Sequence, residues 1–363
     1  MNDEYYMRIA INLALKAKGQ TSPNPLVGAL IVKNSRIISS GYHHKAGLPH
    51  AEIIVLNKAG KKAKGAKLYI NLEPCCHFGR TAPCVYAILE SGIKKVIIGT
   101  IDPNPMMNGK SIKLLQAHGV EVKAGILEKE CLDINQPFIK YITKRIPYVT
   151  VKTAQSLDGR IATKTGQSKW ITTEYARKYS HNLRKLYDAI VVGVNTVIKD
   201  NPLLNSTTNK RFFKVVIDRE LKISTKARIF SKESKAEIII ASGNRALESK
   251  KNILEKMGAK VLTFAPQKGQ IPLKKLLSSL AELEISNILV EGGGETIGRF
   301  FDANLVDKVL FFIAAKIIGG KEAISSVMGE GIRKISQATQ IKDWEFKKIG
   351  QDLLIEGNVY RYN

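Results

Sequence analysis

The sequence has few of the features that mark membrane, secreted or disulfide-rich proteins. No window holds the run of about 18 apolar residues that a membrane helix needs. The amino end, Met1-Asn2-Asp3-Glu4, is acidic and lacks the basic-then-apolar order of a signal peptide. Four cysteines in 363 residues are too few for a disulfide framework. These absences predict a protein of the reducing cytoplasm.

Acidic residues are also scarce, since 32 Asp and Glu stand against 57 Lys and Arg and give a net charge of +25. A basic surface attracts nucleic acid. Aromatic residues, which stack on bases, make up only 7% of the chain, and the lysines are scattered along it without an RNA-binding signature. We therefore expect phosphorylated small molecules as partners, and neither nucleic acid nor membrane.

The strongest chemical signal is a set of three metal-ligating side chains. His50 is followed by Pro74-Cys75 and then by Cys84. One His and two Cys suit a catalytic zinc ion, which keeps its fourth position open for water. Eight residues separate the two cysteines, whereas the usual nucleobase-deaminase pattern has two. We predict one zinc ion per chain, and ordinary packing roles for Cys76 and Cys131.

Glu52 follows His50 at a distance of two residues and completes a zinc-deaminase pattern. In such enzymes the zinc activates a water molecule and the Glu moves protons without binding the metal. His-x-Glu alone is typical of an ordinary helix start, but the downstream Pro-Cys and Cys favour catalysis. Glu52 is therefore the predicted catalytic residue.

The first 145 residues alternate strands with helices, which predicts a three-layered α/β domain. Both metal-bearing segments precede or begin helices, where the positive end of the dipole favours thiolate. Asn24, His43 and Arg80 are polar residues in the loops near these segments. Each alone is more often a loop hydrogen-bonder, but together they could orient a polar substrate. The predicted strands are 27–33, 36–40, 67–72 and 95–100, and the predicted helices 3–18, 50–59, 84–92 and 108–118.

A second unit begins near Pro147, so the expected domains are residues 1–145 and 146–363. Short apolar strands alternate with helical patterns and predict a mainly parallel sheet covered on both faces. A buried strand ends in Gly292-Gly293-Gly294 and leads into a helix, a place where backbone approaches a phosphate. The spacing is not the standard Gly-x-Gly-x-x-Gly, and a tight turn explains the glycines equally well. The predicted strands are 148–154, 189–193, 214–217, 237–241, 260–264 and 287–290, and the predicted helices 173–186 and 273–283.

Taken together, the motifs resemble one family over nearly the whole chain, the bifunctional deaminase/reductase of riboflavin biosynthesis. The first half carries Thr21-x-Pro23-Asn24-Pro25, Gly41-x-His43, His50-Ala51-Glu52 and Glu73-Pro74-Cys75-x-His77-x-Gly79-Arg80. The second half carries Lys152-x-Ala154-x-Ser156-Leu157-Asp158-Gly159, Ser168-x-Trp170, His181-x-Leu183-Arg184, Asp200-Asn201-Pro202 and Glu291-Gly292-Gly293.

The resemblance implies two successive reactions. Zinc-dependent hydrolysis removes the 2-amino group of a diaminopyrimidinone that bears a phosphoribosylamino group, and NADPH then reduces the ribosyl group to ribityl. It also implies a cytidine-deaminase-like zinc domain, a second domain similar to dihydrofolate reductase, and a dimer or tetramer of identical chains.

The resemblance also assigns roles to individual residues. Asn24, His43 and Arg80 would bind substrate in the first site. In the second site the substrate contacts would be Lys152, Ser168, Arg184, Leu203 and Glu291. The contacts to NADPH would be Ala154, Trp170, Thr196, Asp200, Gly293, Gly294, Glu295, Thr296, Ile297, Gly298 and Arg299.

One segment departs from the family pattern. After Asp200-Asn201-Pro202 the family usually places an Arg that holds the substrate phosphate, and here Thr207 stands in that position. A hydroxyl brings no charge, so a charge-assisted contact is lost. We expect either that Lys210 or Arg211 reaches back to the phosphate or that both belong to the basic surface.

Two other functions remain open from the residues alone. The first is a deaminase of a nucleoside or of tRNA, with residues 147–363 as a binding appendage. The second is a zinc-binding interaction module without activity. Structural zinc normally has four protein ligands, and only three are spaced convincingly here.

Overall fold

The computed structural model describes residues 2–78, 82–207, 210–231, 233 and 236–360. The chain divides into two compact units, Met1–Arg145 and Ile146–Asn363, which we call the amino-terminal and the carboxy-terminal unit. Each unit has its own sheet and its own apolar cores. Within the described ranges, no helix is long and apolar enough to cross a membrane.

A mixed sheet with strand order β2-β1-β3-β4-β5 forms the centre of the amino-terminal unit. β1 pairs antiparallel with β2 and β3, whereas β3, β4 and β5 run parallel. The strands are β1 Gly28–Lys33, β2 Arg36–Tyr42, β3 Lys67–Leu72, β4 Lys95–Thr100 and β5 Glu121–Ala124. The helices are α1 Asp3–Leu15, α2 Ala51–Ala59, α3 Cys84–Glu90, α4 Lys110–Ala117, α5 Glu128–Ile134 and α6 Gln136–Lys144.

Helices cover both faces of this sheet because successive strand residues point to opposite sides. Ala29 and Ile31 of β1 share a core with α2, α3 and α4. Leu30 and Val32 share another core with α1 and with Cys131 of α5. Each fully buried Val, Leu or Ile stabilises the fold by roughly 1.5–3 kcal/mol. The predicted three-layered α/β arrangement is confirmed.

The sheet of the carboxy-terminal unit has the strand order β11-β10-β9-β8-β12-β6-β13-β16-β15. From β11 to β13 all neighbours are parallel. These strands are β6 Tyr148–Ser156, β8 Ala189–Gly193, β9 Phe213–Ile217, β10 Glu237–Gly243, β11 Ala259–Phe264, β12 Asn287–Gly292 and β13 Lys308–Ala314. The helices are α7 Glu174–Leu183, α8 Val194–Asp200, α9 Glu248–Lys256, α10 Leu273–Glu282 and α11 Gly294–Asp302. A separate small ladder joins β7 Arg160–Ala162 to β14 Ile324–Ser325.

Apolar cores lie on both faces of the parallel part. Val191 and Val215 pack with α10 and α11 on one face, and Ile190 and Val216 pack with Leu254 of α9 on the other. The expected mainly parallel sheet, covered on both faces, is therefore confirmed.

An antiparallel ribbon at one edge was not predicted. β15 Gln340–Ile349 and β16 Asp352–Tyr360 pair with each other, and β16 pairs with β13. β15 is the edge strand and most of its residues are exposed, including Trp344 and Phe346. Its charged residues interrupt the apolar alternation that identifies a strand from sequence.

Candidate active sites

The three predicted metal ligands lie together in the amino-terminal unit. His50 directly precedes α2, Cys75 follows β3, and Cys84 begins α3. The possible ligand atoms lie within 4.8 Å of one another. Nδ1 of His50 is 3.6 Å from Sγ of Cys75 and 3.2 Å from Sγ of Cys84. Such separations suit the edges of a tetrahedron with bonds of about 2.0–2.3 Å, so the residues fit a zinc ion.

The electrostatics of this cluster favour a thiolate. The Cys84 side chain donates a hydrogen bond to Cys75 and lowers the pKa of the Cys75 thiol, an effect that burial opposes and His50 reinforces. The backbone N–H of Cys84 also donates to Sγ of Cys75 over 3.3 Å. Because only a deprotonated thiol binds metal well, the Cys75 thiolate suits a cation, whereas the same hydrogen bond raises the pKa of the Cys84 thiol.

Glu52 lies in the first turn of α2 and is only 3% exposed. Burial, together with the charge of Cys75, raises the pKa of its carboxyl to about 7, although His50 acts in the opposite direction. A carboxyl that titrates near neutral pH can both accept and donate a proton during a reaction. Glu52 is not a member of the ligand group. Its position therefore suits proton transfer beside the metal.

Two of the three predicted substrate contacts lie beside this cluster. Nδ2 of Asn24 is 3.1 Å from Nε2 of His43, and Nδ1 of His43 is 3.1 Å from the carbonyl of Pro49. Since a carbonyl only accepts, Nδ1 carries the proton and Nε2 accepts from Asn24. Burial lowers the pKa of His43, which favours the neutral ring. The ring centroids of His43 and His50 are 5.3 Å apart. Arg80 lies outside the described residues.

Sequence reasoning gave no role to Glu73, which holds the loop that carries Cys75. Its buried carboxylate accepts from the backbone N–H groups of Asp102, Gly109 and Ser111 at 3.0, 2.9 and 3.1 Å, and from the Ser111 hydroxyl at 2.6 Å. A buried carboxylate with four donors is fully satisfied. The sequence signal for this role was the position of Glu73 between strand β3 and the predicted zinc ligand Cys75.

In the carboxy-terminal unit the predicted substrate contacts form a buried ion network. Nε and NH2 of Arg184 donate to the two carboxylate oxygens of Glu291 over 2.9 and 2.8 Å, and both side chains are 8% exposed. NH1 of Arg184 contacts Nε2 of His181 and the carbonyl of Asn205, each at 3.0 Å. This two-pronged geometry fixes the guanidinium firmly.

Lys152 joins the same network. β6 and β12 are neighbours, with Val290 paired to Val151, so Lys152 and Glu291 each follow a paired residue. Burial opposes ionisation of Glu291, but the charges of Arg184 and Lys152 outweigh it and hold the pKa of the carboxyl at about 2. Burial lowers the pKa of Lys152, and Glu291 partly restores it. The structure thus brings together three of the five predicted substrate contacts.

Ser168 and Asp200 meet at a second location. Oγ of Ser168 is 3.3 Å from Oδ1 of Asp200, and both line a cavity of about 430 Å³. The cavity joins a predicted substrate contact to a predicted cofactor contact. Its other lining residues are Thr165, Gly166, Gln167, Lys169 and Lys199.

The glycine turn after β12 lies against α8. Gly292 has φ of 139°, which favours glycine. A Cβ at Gly293 would lie 3.5 Å from Oγ1 of Thr196, and a Cβ at Gly193 would lie 2.5 Å from Oγ1 of Thr296. The predicted cofactor contacts Thr196, Gly293 and Thr296 are therefore neighbours. The close backbone approach and the start of α11 fit a phosphate-bearing cofactor.

Two further glycines of this segment are explained by packing. A Cβ at Gly294 would lie 2.2 Å from the carbonyl oxygen of Ser325, and one at Gly298 would lie 1.9 Å from that of Met328. Any side chain there would displace the neighbouring segment. Glycine at these two positions therefore allows α11 to pack closely against the backbone of residues 325–328.

The remaining predicted residues are more dispersed. Trp170 is 61% exposed, with the Arg177 guanidinium 4.1 Å from its ring centre. Arg299 donates to the carbonyl of Ile271 over 2.8 Å. Ala154, Leu203, Glu295 and Ile297 take part in none of the polar contacts described above.

The two cations proposed to replace the family Arg have carboxylate partners. Nζ of Lys210 is 2.8 Å from Oδ1 of Asp188, and the two side chains are 8% and 7% exposed. Arg211 donates to Glu237 at 2.5 and 2.8 Å on an exposed surface. Arg211 therefore belongs to the basic surface, whereas Lys210 forms a buried ion pair, an outcome that neither expectation covered.

Comparison with family models adds independent information. The model described as RibD C-terminal domain matches residues 147–355. The model described as cytidine and deoxycytidylate deaminase zinc-binding region matches residues 1–100.

Known proteins are similar over the full length. The riboflavin biosynthesis protein RibD of Aquifex aeolicus is 44% identical over 356 residues, covering 97% of both chains. That of Escherichia coli is 34% identical and covers 98% of this chain and 99% of the relative. The structure of Acinetobacter baumannii RibD, form 1, has a TM-score of 0.88 at 33% identity and 99% coverage of both chains. The Thermotoga maritima diaminohydroxyphosphoribosylaminopyrimidine deaminase/5-amino-6-(5-phosphoribosylamino)uracil reductase has a TM-score of 0.83 at 36% identity, again with 99% coverage of both.

Proposed function

This chain belongs to the RibD family of riboflavin biosynthesis proteins, and from that premise we propose which residues carry its two reactions. The protein is a zinc-dependent deaminase and an NADPH-dependent reductase. It deaminates 2,5-diamino-6-(5-phosphoribosylamino)pyrimidin-4-one and then reduces the ribosyl group of 5-amino-6-(5-phosphoribosylamino)uracil to ribityl. We assign deamination to residues 1–145 and reduction to residues 146–363.

In the deaminase, His50, Cys75 and Cys84 would hold the zinc ion. The bound ion supplies an activated water at neutral pH. Glu52 accepts a proton at its buried carboxylate as water attacks the amino-bearing ring carbon, and returns it to the departing nitrogen. Asn24 and His43 orient the pyrimidine, and Arg80 contacts it as the third polar group. The buried position of Glu52 in the first turn of α2, two residues after His50 and outside the ligand group, is the observation that carries this assignment.

In the reductase, bound NADPH supplies the hydride. Thr196, Asp200 and the segment 293–299 would hold the cofactor, with Ala154 and Trp170 as further contacts. Arg184, Lys152 and Glu291 would orient the phosphoribosyl group, with Ser168 and Leu203 beside it. The network charges are placed in a buried setting, where they act more strongly than in water.

Measuring both reactions on one preparation tests whether a single chain carries the deaminase and the reductase activity. Ammonia release is followed with the diaminopyrimidinone alone, and loss of NADPH absorbance is then followed after deaminated substrate is supplied. Both activities are expected from one chain. Ammonia release without any NADPH oxidation would revive the deaminase with a binding appendage, and neither activity would revive the zinc-binding module.

We also infer that the protein forms a dimer or tetramer, works in the cytoplasm and binds no nucleic acid. Exposed Trp344 and Phe346 on the edge strand β15 support self-association, at 57% and 68% exposure. The free cysteines support a reducing compartment. Sedimentation of the protein, and of a Trp344→Ser/Phe346→Ser variant, tests the assembly: the variant is expected to sediment as a smaller species.

A further inference from the structure

Lys214 lies in the interior of the carboxy-terminal unit. It belongs to β9 and is 0% exposed. Within the described part of the chain, its one hydrogen bond runs from Nζ to the carbonyl of Ile229 over 3.3 Å. Buried charges are normally paired with an opposite charge, because leaving water is costly for an ion. A buried lysine with a neutral partner therefore calls for an explanation.

Lys214 faces the same side of the sheet as the reductase network. It pairs with Ile190 of β8, Ile190 pairs with Leu289 of β12, and Leu289 pairs with Thr150 of β6. Lys152 follows Thr150 by two residues and so points to the same face. The charge of Arg184 also acts on Lys214: with burial as the larger cause, it lowers the pKa of the lysine to about 8. Lys214 still holds its proton at neutral pH.

The charges of this region do not balance. Lys152, Arg184 and Lys214 are cations, and Glu291 is the carboxylate that interacts with the first two. The Lys210–Asp188 pair is neutral as a whole. By formal charge, Lys152, Arg184, Lys214 and Glu291 together carry an excess of two positive charges, which a phosphate monoester, with a charge near −2 at neutral pH, would compensate.

Polar atoms without partners lie beside Arg184. The carbonyl of Asn205 accepts from Arg184, and the side-chain oxygens Oδ1 of Asn205 and Oγ of Ser206 are buried with no hydrogen-bond partner among the described residues. Of these two atoms only the Ser206 hydroxyl can donate to a phosphate, and a buried, unsatisfied hydroxyl in a native protein calls for an explanation. Among the described residues, four of the five guanidinium donors of Arg184 have acceptors, which leaves one for a ligand.

We propose that Lys214 supplies a buried positive charge that, with Arg184 and Ser206, binds the phosphate of the reductase substrate. This inference rests on the proposed function of the same site. Because Lys214 has no exposed surface, it attracts the phosphate through the low-dielectric wall of the site and not by a direct hydrogen bond. Lys214 thereby helps the reductase to select phosphorylated over unphosphorylated substrate.

The test compares 5-amino-6-(5-phosphoribosylamino)uracil with the same compound after removal of its phosphate. In the full-length Lys214→Met variant, KM for the phosphorylated compound is expected to rise about tenfold with little change in kcat, the sign of lost uniform binding. For the unphosphorylated compound kcat/KM should change less than about twofold, since the lost attraction concerns the phosphate. Lys214→Arg keeps the charge and should restore the KM. Lys260→Met, on the exposed edge of the same sheet, is the matched control.

The KM for NADPH reports whether the carboxy-terminal unit is intact. If Lys214→Met does not fold, Lys214→Gln, which keeps a polar head group, replaces it. Equal losses for both compounds would assign Lys214 a structural role and overturn the proposal, as would an unchanged KM in both neutral variants. Absence of NADPH oxidation by the unaltered protein would instead contradict the proposed function, and this inference would fall with it.

Discussion

The two sites of this chain are built on different principles. In the amino-terminal unit, three ligand atoms converge within 4.8 Å, and the carboxyl of Glu52 lies buried nearby. In the carboxy-terminal unit, the described residues around Arg184 form an ion network without such a ligand group. In our proposal the first site depends on a zinc ion bound by side chains from three separate segments. The second depends on the balance of buried charges, so the two should respond differently to the same kinds of change.

The sharpest contrast is expected from Cys84→Ser. Loss of a thiolate should release the zinc ion, abolish deamination and lower the stability of the amino-terminal unit, because metal binding is coupled to folding. Reduction of deaminated substrate should persist. Metal analysis, ammonia release and NADPH oxidation measure the three effects. Cys76→Ser is the neighbouring control, and full zinc occupancy in Cys84→Ser would remove Cys84 from the ligands.

Glu52→Gln distinguishes loss of proton transfer from loss of the metal ion. The variant should keep its zinc and lose deaminase kcat by roughly 10²–10⁴-fold, the usual contribution of a positioned acid–base group. NADPH oxidation should be unaffected. Glu128→Gln, on the exposed surface of the same unit, is the control. If both activities fell while the protein stayed folded, the assignment of one reaction to each unit would be wrong.

Glu291→Gln removes the carboxylate charge of the second site, where no metal ion is involved in the proposal. Arg184 and Lys152 would lose their carboxylate partner, so the carboxy-terminal unit should lose about 3 kcal/mol of its free energy of unfolding. Urea denaturation followed through the unit's own Trp170 and Trp344 measures this change, because both tryptophans of the chain lie in that unit. Glu255→Gln on α9 is the control, and an unchanged midpoint would show that the pair contributes nothing net.

Lowering the pH should reduce the stability of the carboxy-terminal unit through protonation of Glu291. The folded pKa of Glu291 is about 2, below the value of about 4.3 for an unfolded Glu, so the unfolded chain binds the extra proton. Its stabilising contribution is complete above about pH 4.5 and is lost as the pH falls towards 2, with a loss of about 2 kcal/mol at pH 3. Urea titrations from pH 5 to 3 measure it. Glu291→Gln should show a smaller pH dependence, and an equal one would assign the effect to other carboxyls.

The smallest effect is expected from Arg211→Ala. Its ion pair with Glu237 is exposed, and such pairs contribute about 0–1 kcal/mol. The reductase KM for phosphorylated substrate should stay within about twofold of the unaltered value, because Arg211 is engaged away from the Arg184 network. A large rise in KM would restore Arg211 as the replacement for the family Arg.

Features set by residue type and short spacing were predicted from the sequence, whereas features set by tertiary contacts were not. Zinc ligands are chemically distinctive, so their spacing alone predicted the group of His50, Cys75 and Cys84 that the structure brings together, with Glu52 close by in sequence. The β15–β16 ribbon was missed because charged residues mask its period. Lys214 was missed as well, since a lysine in an apolar strand gives no sign of how deeply it is buried.

Residue types and their spacing were sufficient to predict two α/β units, a candidate zinc site and the family. The three-dimensional contacts were needed to show that Asn24 lies beside His43, that the Glu73 carboxylate accepts hydrogen bonds from residues 102–111 and that Lys210 is paired with Asp188. Strand order and register also place Lys214 on the same face of the sheet as Lys152. The physical reason is that ligand chemistry is a property of residue types, whereas hydrogen bonds and buried charge depend on strand order and register, which bring distant residues together.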